Sequence, residues 1–322
     1  MIIKKERLLT ISFIIIPYVL FCAYMVGIKD PLVWRDYGVY LNYFDDSAND
    51  IIYIITNIQD PAFVLLMHPF HSLAQGFDIF LFWCAIITLS LKIYSISLAT
   101  QRFSFFLVLY SSYLLCLHDY IQIRIALALA IFCYAMYVRK GWVQFLLFVL
   151  SIFVHLSLVV PLCIFCLVHA KRIGYKRIFW SGPVIIALSL SIQQGAVFIS
   201  RVNQYLELQK QGIGVDINVY SVLPFFQLLT VLFVFFNKKL ISYKYTFEFV
   251  MSYVGVIIFY STLAIPAVAL RYFEISNLFF IILLSRLFFK SYFFIAIFFM
   301  YIVVGIKNYG QLLDLKIPFL TS

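Results

Sequence analysis

The sequence predicts an all-α, polytopic integral membrane protein with about 10–11 transmembrane helices, and three observations predict it. Of the 322 residues, 64% are hydrophobic and only 12% are charged. A soluble domain has about 45–50% and about 25%. The apolar runs are long, near the ~20 residues that carry a helix across a bilayer, whereas a membrane barrel would show short alternating runs. Most of the 24 Lys and Arg residues fall in short connections between those runs, as positively charged cytoplasmic loops do. In lipid each backbone N–H and C=O must be satisfied internally, so the long runs must be helical. Mean hydropathy is +1.01, and residues 1–322 read as a single transmembrane domain with no soluble domain. The net charge of +10 follows from the cytoplasmic loops and does not call for nucleic acid.

The first span is 8–27, with Lys4, Lys5 and Arg7 on the cytoplasmic side. Its apolar stretch is too long for a signal peptide, and no small-residue cleavage site follows. An outer loop over 28–78 comes next. It begins "DPLVWRDYGVYLNYFDDSAND" and continues "DPAFVLLMHPFHSLAQGF", an interfacial or re-entrant helix interrupted by Pro69. Spans 79–98, 103–118 and 121–138 follow. Residues 142–169 are long for one crossing and short for two. Arg139 and Lys140 precede them, and Lys171, Arg172, Lys176 and Arg177 follow. Two cytoplasmic flanks require an in-and-out pair of short helices turning near His155 and Ser157. Span 178–198 leads to a polar outer loop, 199–219, with Gly212 and Gly214. The last spans are 220–237, 246–265, 270–288 and 291–306. The N-terminus is then inside and the C-terminus outside, with Lys92 counted inside and Asp119 toward the outer face. All six cysteines lie in apolar runs, and Cys163-x-x-Cys166 reads as helix packing.

Arg35, Arg124, Arg201 and Arg271 break the inside bias. Arg35 stands in the first outer loop, and Arg124 and Arg271 begin outer-to-inner helices. A guanidinium on the wrong side opposes insertion preference, which suggests a function. Guanidinium binds phosphate bidentately and stays charged when partly desolvated. A lipid-linked pyrophosphate carries its charge at this depth. The competing reading is that each Arg snorkels to headgroups or pairs with Asp36, Asp119 or Glu274. Three at matching depth favour the ligand. Asp36, Asp60, Asp119 and Glu274 are outer carboxylates able to accept a proton, and His155 sits at the expected turn. His68 and His71 lack an adjoining acidic third ligand, so no metal is expected. Tyrosines and Trp34 offer flat faces for sugar rings. No P-loop, dinucleotide-binding loop, zinc-protease or nucleophile-elbow motif is present, so no cofactor is expected.

The ordered motifs "WRDYGVYLNYF", "DPAF", "IRIALALAIF", "FVHLSLVVPL" and "ALRYFEISNLFF" resemble those of the EpsG-type family of Wzy-like polysaccharide polymerases, over about residues 30 to 290. The resemblance implies a fold similar to the metal-independent, polytopic (GT-C-like) glycosyltransferases. It implies transfer of a growing glycan from undecaprenyl pyrophosphate to another lipid-linked repeat unit. The setting would be the outer face of a bacterial cytoplasmic membrane, building exopolysaccharide, capsule or O-antigen. Expected partners are the undecaprenyl-pyrophosphate-linked oligosaccharide and the lipid bilayer, with a chain-length regulator as a candidate. Carried onto this sequence, Arg35, Tyr37, Arg124, Arg271 and Tyr272 would bind the substrate pyrophosphate, and Asp36, His155 and Glu274 are the candidate catalytic groups. Asp60-Pro61-Ala62-Phe63 departs from the family's E-P-G-F element. Ile125 departs from the residue that usually follows the helix-start arginine. A lipid-linked oligosaccharide flippase and a membrane acyltransferase acting on surface glycans are the alternatives.

Overall fold

The computed structural model describes residues 5–28, 36–58, 60–169, 182–183, 186, 221–263 and 265–312, with side chains from residue 13 in the first helix to residue 310 in the last. Among the described residues there is no strand. Arg35, Trp34, Arg201, the outer loop 199–219 and most of span 178–198 lie outside them. The helices are α1 (Lys5–Gly27), α2 (Tyr37–Asp46), α3 (Ile51–Asn57), α4 (Pro61–Met67), α5 (Gly76–Ala99) and α6 (Phe103–Leu109). They continue as α7 (Ile123–Tyr137), α8 (Trp142–Val154), α9 (Val159–His169), α10 (Val222–Phe236), α11 (Phe247–Ser261), α12 (Pro266–Leu287) and α13 (Tyr292–Leu312). Among the described residues four stretches are long and apolar enough to cross a membrane: Gly76–Ala99, Phe103–Ile121, Pro266–Lys290 and Tyr292–Gly310. A fifth is bent by 115° between Val222–Phe236 and Lys238–Tyr245. Shorter apolar helices, α7, α8 and α11 among them, accompany these. The protein is an all-α, multi-pass membrane protein.

Several elements refine the sequence reading. Within the 28–78 segment, Tyr37–Asp46 and Ile51–Asn57 are helical, as α2 and α3, rather than an open loop. Pro69 does interrupt the next helix. It falls in the first turn of a 3-10 segment, His68–Phe70, where a missing N–H breaks no helical bond. The 142–169 segment divides at His155, the residue expected at its turn. There α8 ends, a 3-10 turn covers Leu156–Leu158, and α9 begins. The span beginning at Phe103 widens into a π-helix over Tyr110–Ile121, and Gln122 N–H donates to the Leu117 carbonyl at 2.9 Å, five residues back.

The chain folds as two compact units, residues 1–101, 113–158 and 307–322 in one, and 102–112 and 159–306 in the other. In the first, α5 packs on α1 and α7, and α7 on α8. Ala126, Ala128 and Ala130 on α7 are fully enclosed; small side chains let membrane helices approach closely. This unit corrects one expectation. Lys92 and Asp119, assigned to opposite sides, meet at 3.0 Å with 1% of each side chain exposed. They stand at one depth inside the packing. Two opposite charges that neutralise each other in a low-dielectric interior no longer follow the rule for loop charges.

In the second unit α12 is buried over most of its length, as a helix apolar all round must be. Against it α11 comes so close that a Cβ on Gly255 would lie 2.0 Å from Ser276 Oγ. Gln227 Nε2 on α10 donates to the Ser252 carbonyl at 2.9 Å and to Ser276 Oγ at 3.0 Å, tying α10 to both. Arg286 and Glu248 form a 3.0 Å ion pair.

Candidate active site

The first unit assembles a polar cluster from α2, α4, the start of α7 and the turn after α8. Arg124 is the second residue of α7. Its Nη1 donates to Asp60 Oδ2 at 2.7 Å and to Tyr43 Oη at 2.8 Å. Its guanidinium lies 4.5 Å from the centre of the Tyr43 ring and 5.7 Å from that of Tyr40, within cation–π range. Its backbone N–H, one of the unsatisfied donors at a helix start, points at Tyr40 Oη from 3.4 Å. Tyr40 and Tyr43 are three apart on α2, so both rings face α7. Burial pushes the Tyr40 hydroxyl's pKa up, although the Arg124 charge works against that shift. The phenol therefore stays protonated at neutral pH.

Asp60 joins three elements. It has φ 59° and ψ 51°, a left-handed conformation uncommon for any residue but glycine or asparagine. Pro61 opens α4 immediately after it. The left-handed turn brings the carboxylate back toward α7. While Oδ2 grips Arg124, Oδ1 accepts the Leu156 N–H at 3.4 Å. That N–H belongs to the turn after His155, where the chain leaves α8 in an extended conformation (φ −155°, ψ 112°). His155 is buried, and its Nδ1 accepts the Ser157 N–H at 3.4 Å. In the neutral ring the proton then sits on Nε2.

The Arg124 side chain is 16% exposed and that of Asp60 5%. Nη1 is engaged, but Nε is buried without a hydrogen-bond partner among the described residues. An unmet buried donor costs about 1–3 kcal/mol, so one edge of a nearly enclosed guanidinium is left for an acceptor that no described residue supplies.

Of the residues singled out from sequence, Asp36, Tyr37, Arg124 and His155 fall in this unit. Asp36 precedes α2, and its carbonyl accepts the Tyr40 N–H at 3.2 Å. Tyr37 stands edge-on to Phe77, with centroids 5.7 Å apart. Arg271, Tyr272 and Glu274 lie in the first half of α12, in the second unit. Glu274 is buried, and Arg271 and Tyr272 are half-buried. Arg271 makes no hydrogen bond or ion pair with any described residue. His68 and His71 serve packing: His68 Nδ1 donates to the Ser47 carbonyl at 2.5 Å, and His71 stacks on Phe44 at 5.4 Å. Sequence reasoning named Asp60 only among the outer carboxylates able to accept a proton, and it did not single out Tyr40 and Tyr43. An aspartate directly before a helix-opening proline was the available signal.

Residues 4–319, essentially the whole chain, match the EpsG family. The chain belongs to the EpsG family. EpsG-type proteins are Wzy-like polymerases, and membership supports a general role as a polysaccharide polymerase of glycosyltransferase type. No curated protein and no solved structure matches this EpsG chain significantly.

Proposed function

We propose that this EpsG protein polymerises lipid-linked oligosaccharide repeat units into surface polysaccharide, by glycosyl transfer from undecaprenyl pyrophosphate at the outer face of the bacterial cytoplasmic membrane. The observation that carries the proposal is Arg124, fixed by Asp60 and Tyr43 with its Nε edge buried and unengaged. Guanidinium presented in a partly water-excluded site suits a diphosphate. Its fixed charge meets the negative charge that grows on the leaving group as the sugar–phosphate bond breaks. Arg35 and Arg271 are further cations proposed to bind substrate, and Arg271 is half-buried without an ionic partner among the described residues.

In the proposed step an acceptor hydroxyl oxygen attacks the anomeric carbon of the donor. The bond from that carbon to the phosphate oxygen breaks, and its electron pair leaves with the diphosphate. The acceptor proton passes to a carboxylate, for which Asp36 is the candidate in this unit. His155, whose Nδ1 accepts the Ser157 N–H, is the further candidate catalytic group in this unit. Confinement of both lipid-linked substrates to one bilayer raises their encounter rate.

The test is purified protein in proteoliposomes supplied with lipid-linked repeat units. Glycan length should grow with time in the wild type and not in Arg124→Ala. Movement of the units across the bilayer without any growth in length would reject the polymerase in favour of a flippase.

A further inference from the structure

A second polar feature of the first unit lies beside this site and takes no part in the step above. It is an open groove of about 750 Å³ between the end of α2, helix α3 and the end of α4, within the ordinary range of small-ligand sites. Asn49, Asp50, Tyr53, Thr56, Asn57 and His68 line it, together with the apolar side chains of Ile51 and Ile52.

The lining chemistry is selective. Among the described residues no Lys or Arg borders the groove, so it offers no fixed cation to a phosphate. Several acceptors face it instead. Asn49 and Asn57 commit their amide N–H groups to the Asp46 and Tyr53 carbonyls, which leaves each Oδ1 available. The Asp50 carboxylate makes no cap bond to α3. His68 spends Nδ1–H on the Ser47 carbonyl, so Nε2 is an acceptor. The Tyr53 ring, half-exposed, adds a flat apolar face with a hydroxyl rim. Acceptors around an aromatic face match a sugar ring, which presents hydroxyl donors at its edge and C–H groups on its flat side.

Its position matches too. Helix α4 runs from Asp60 at its start to His68 at its end, and its seven residues span about 10 Å at 1.5 Å per residue. On α2, Tyr43 stands one turn before Ser47, the residue whose carbonyl His68 holds. The same two helices thus carry the Arg124 partners at one end and the groove at the other. From these observations we infer that the groove is a glycan subsite, binding the sugars of a lipid-linked chain whose diphosphate is held at Arg124. The inference rests on the polymerase reading for the identity of the chain, while the subsite can be tested without turnover.

The experiment uses the full-length protein in nanodiscs and oligosaccharide released by mild acid from the producing cell's own polymer. Equilibrium binding is measured for the wild type, Tyr53→Ala, Asp50→Asn and Arg124→Ala. All the altered groove residues are exposed, so the melting temperatures should match. Tyr53→Ala should weaken oligosaccharide binding about tenfold and Asp50→Asn about threefold, the size of one lost stacking contact or hydrogen bond. Arg124→Ala should bind as the wild type does. In the polymerisation assay Tyr53→Ala should raise KM by a similar factor and leave kcat within about twofold, since the ring is remote from the breaking bond. Equal oligosaccharide binding by wild type, Tyr53→Ala and Asp50→Asn overturns the subsite, even if Arg124→Ala stops polymerisation. Absence of chain growth in the wild type, with binding still sensitive to Tyr53, overturns the polymerase reading and leaves a glycan site. Displacement of the oligosaccharide by phospholipid headgroups alone overturns the subsite in favour of a lipid contact.

Discussion

Two buried ion pairs in the same unit serve opposite ends. Lys92 and Asp119 are sealed, each 1% exposed, inside membrane-length helices. Arg124 and Asp60 are also close, at 2.7 Å, but 16% of the arginine side chain is exposed and its Nε has no partner among the described residues. In the sealed pair each charge meets the other, and together they fix α5 against the π-helical turn that precedes α7. The open pair is left one acceptor short. A buried charge therefore marks a candidate site when the protein holds it without satisfying it, and burial or pairing alone does not.

The comparison can be broken most sharply at Arg124. Arg124→Ala should cut chain growth by about 10²–10³-fold or more, the scale for loss of one transition-state donor, with normal membrane insertion by fractionation. Arg124→Lys should recover part of the loss, since it restores charge without the planar fork. A fully active alanine variant would make the open pair as structural as the sealed one.

The sealed pair should behave in the reverse way. Asp119→Ala strands Lys92 in the interior and should destabilise the protein by about 3–5 kcal/mol, read as a fall in melting temperature in detergent. Lys92→Met combined with Asp119→Leu should restore much of that stability, because apolar pairs of similar volume replace buried ion pairs well, and it should keep polymerising. The equivalent double change at the open pair, Arg124→Met with Asp60→Leu, should yield folded and inactive protein. Activity in that variant would erase the distinction.

A smaller effect is expected at Tyr43. Tyr43→Phe removes one hydrogen bond to Nη1 and keeps the aromatic face beneath the guanidinium. Chain growth should fall by less than about tenfold, the worth of about 0.5–1.5 kcal/mol. A loss as large as that of Arg124→Ala would give the phenol hydroxyl a role beyond orientation.

What the sequence disclosed follows from which forces are local. The all-α, polytopic class was legible because hydropathy over about 20 residues is a local property. The break at His155 was legible because basic residues on both flanks limited the ways 142–169 could lie. The π-helical stretch over Tyr110–Ile121 left no mark in periodicity, since residue spacing does not reveal which carbonyl an N–H will choose. The Lys92–Asp119 pair joins residues 27 apart in sequence, and charge rules applied one residue at a time sent them to opposite sides. Asp60 was visible as a carboxylate, but its left-handed turn and its reach to both Arg124 and Leu156 arise only when α4, α7 and α8 meet. Arg124 itself was legible as a cation in an unfavourable place, and the family motifs pointed to the same residue.

The central claim is that the free edge of Arg124 grips the diphosphate of a lipid carrier, and binding of undecaprenyl pyrophosphate to nanodisc-embedded protein tests it without any glycan or turnover. The account predicts saturable binding by the wild type and by Lys92→Met/Asp119→Leu, weakened at least about tenfold in Arg124→Ala, as for loss of a charge-assisted contact of about 1.5–3 kcal/mol. Equal affinity of wild type and Arg124→Ala for the carrier would contradict it.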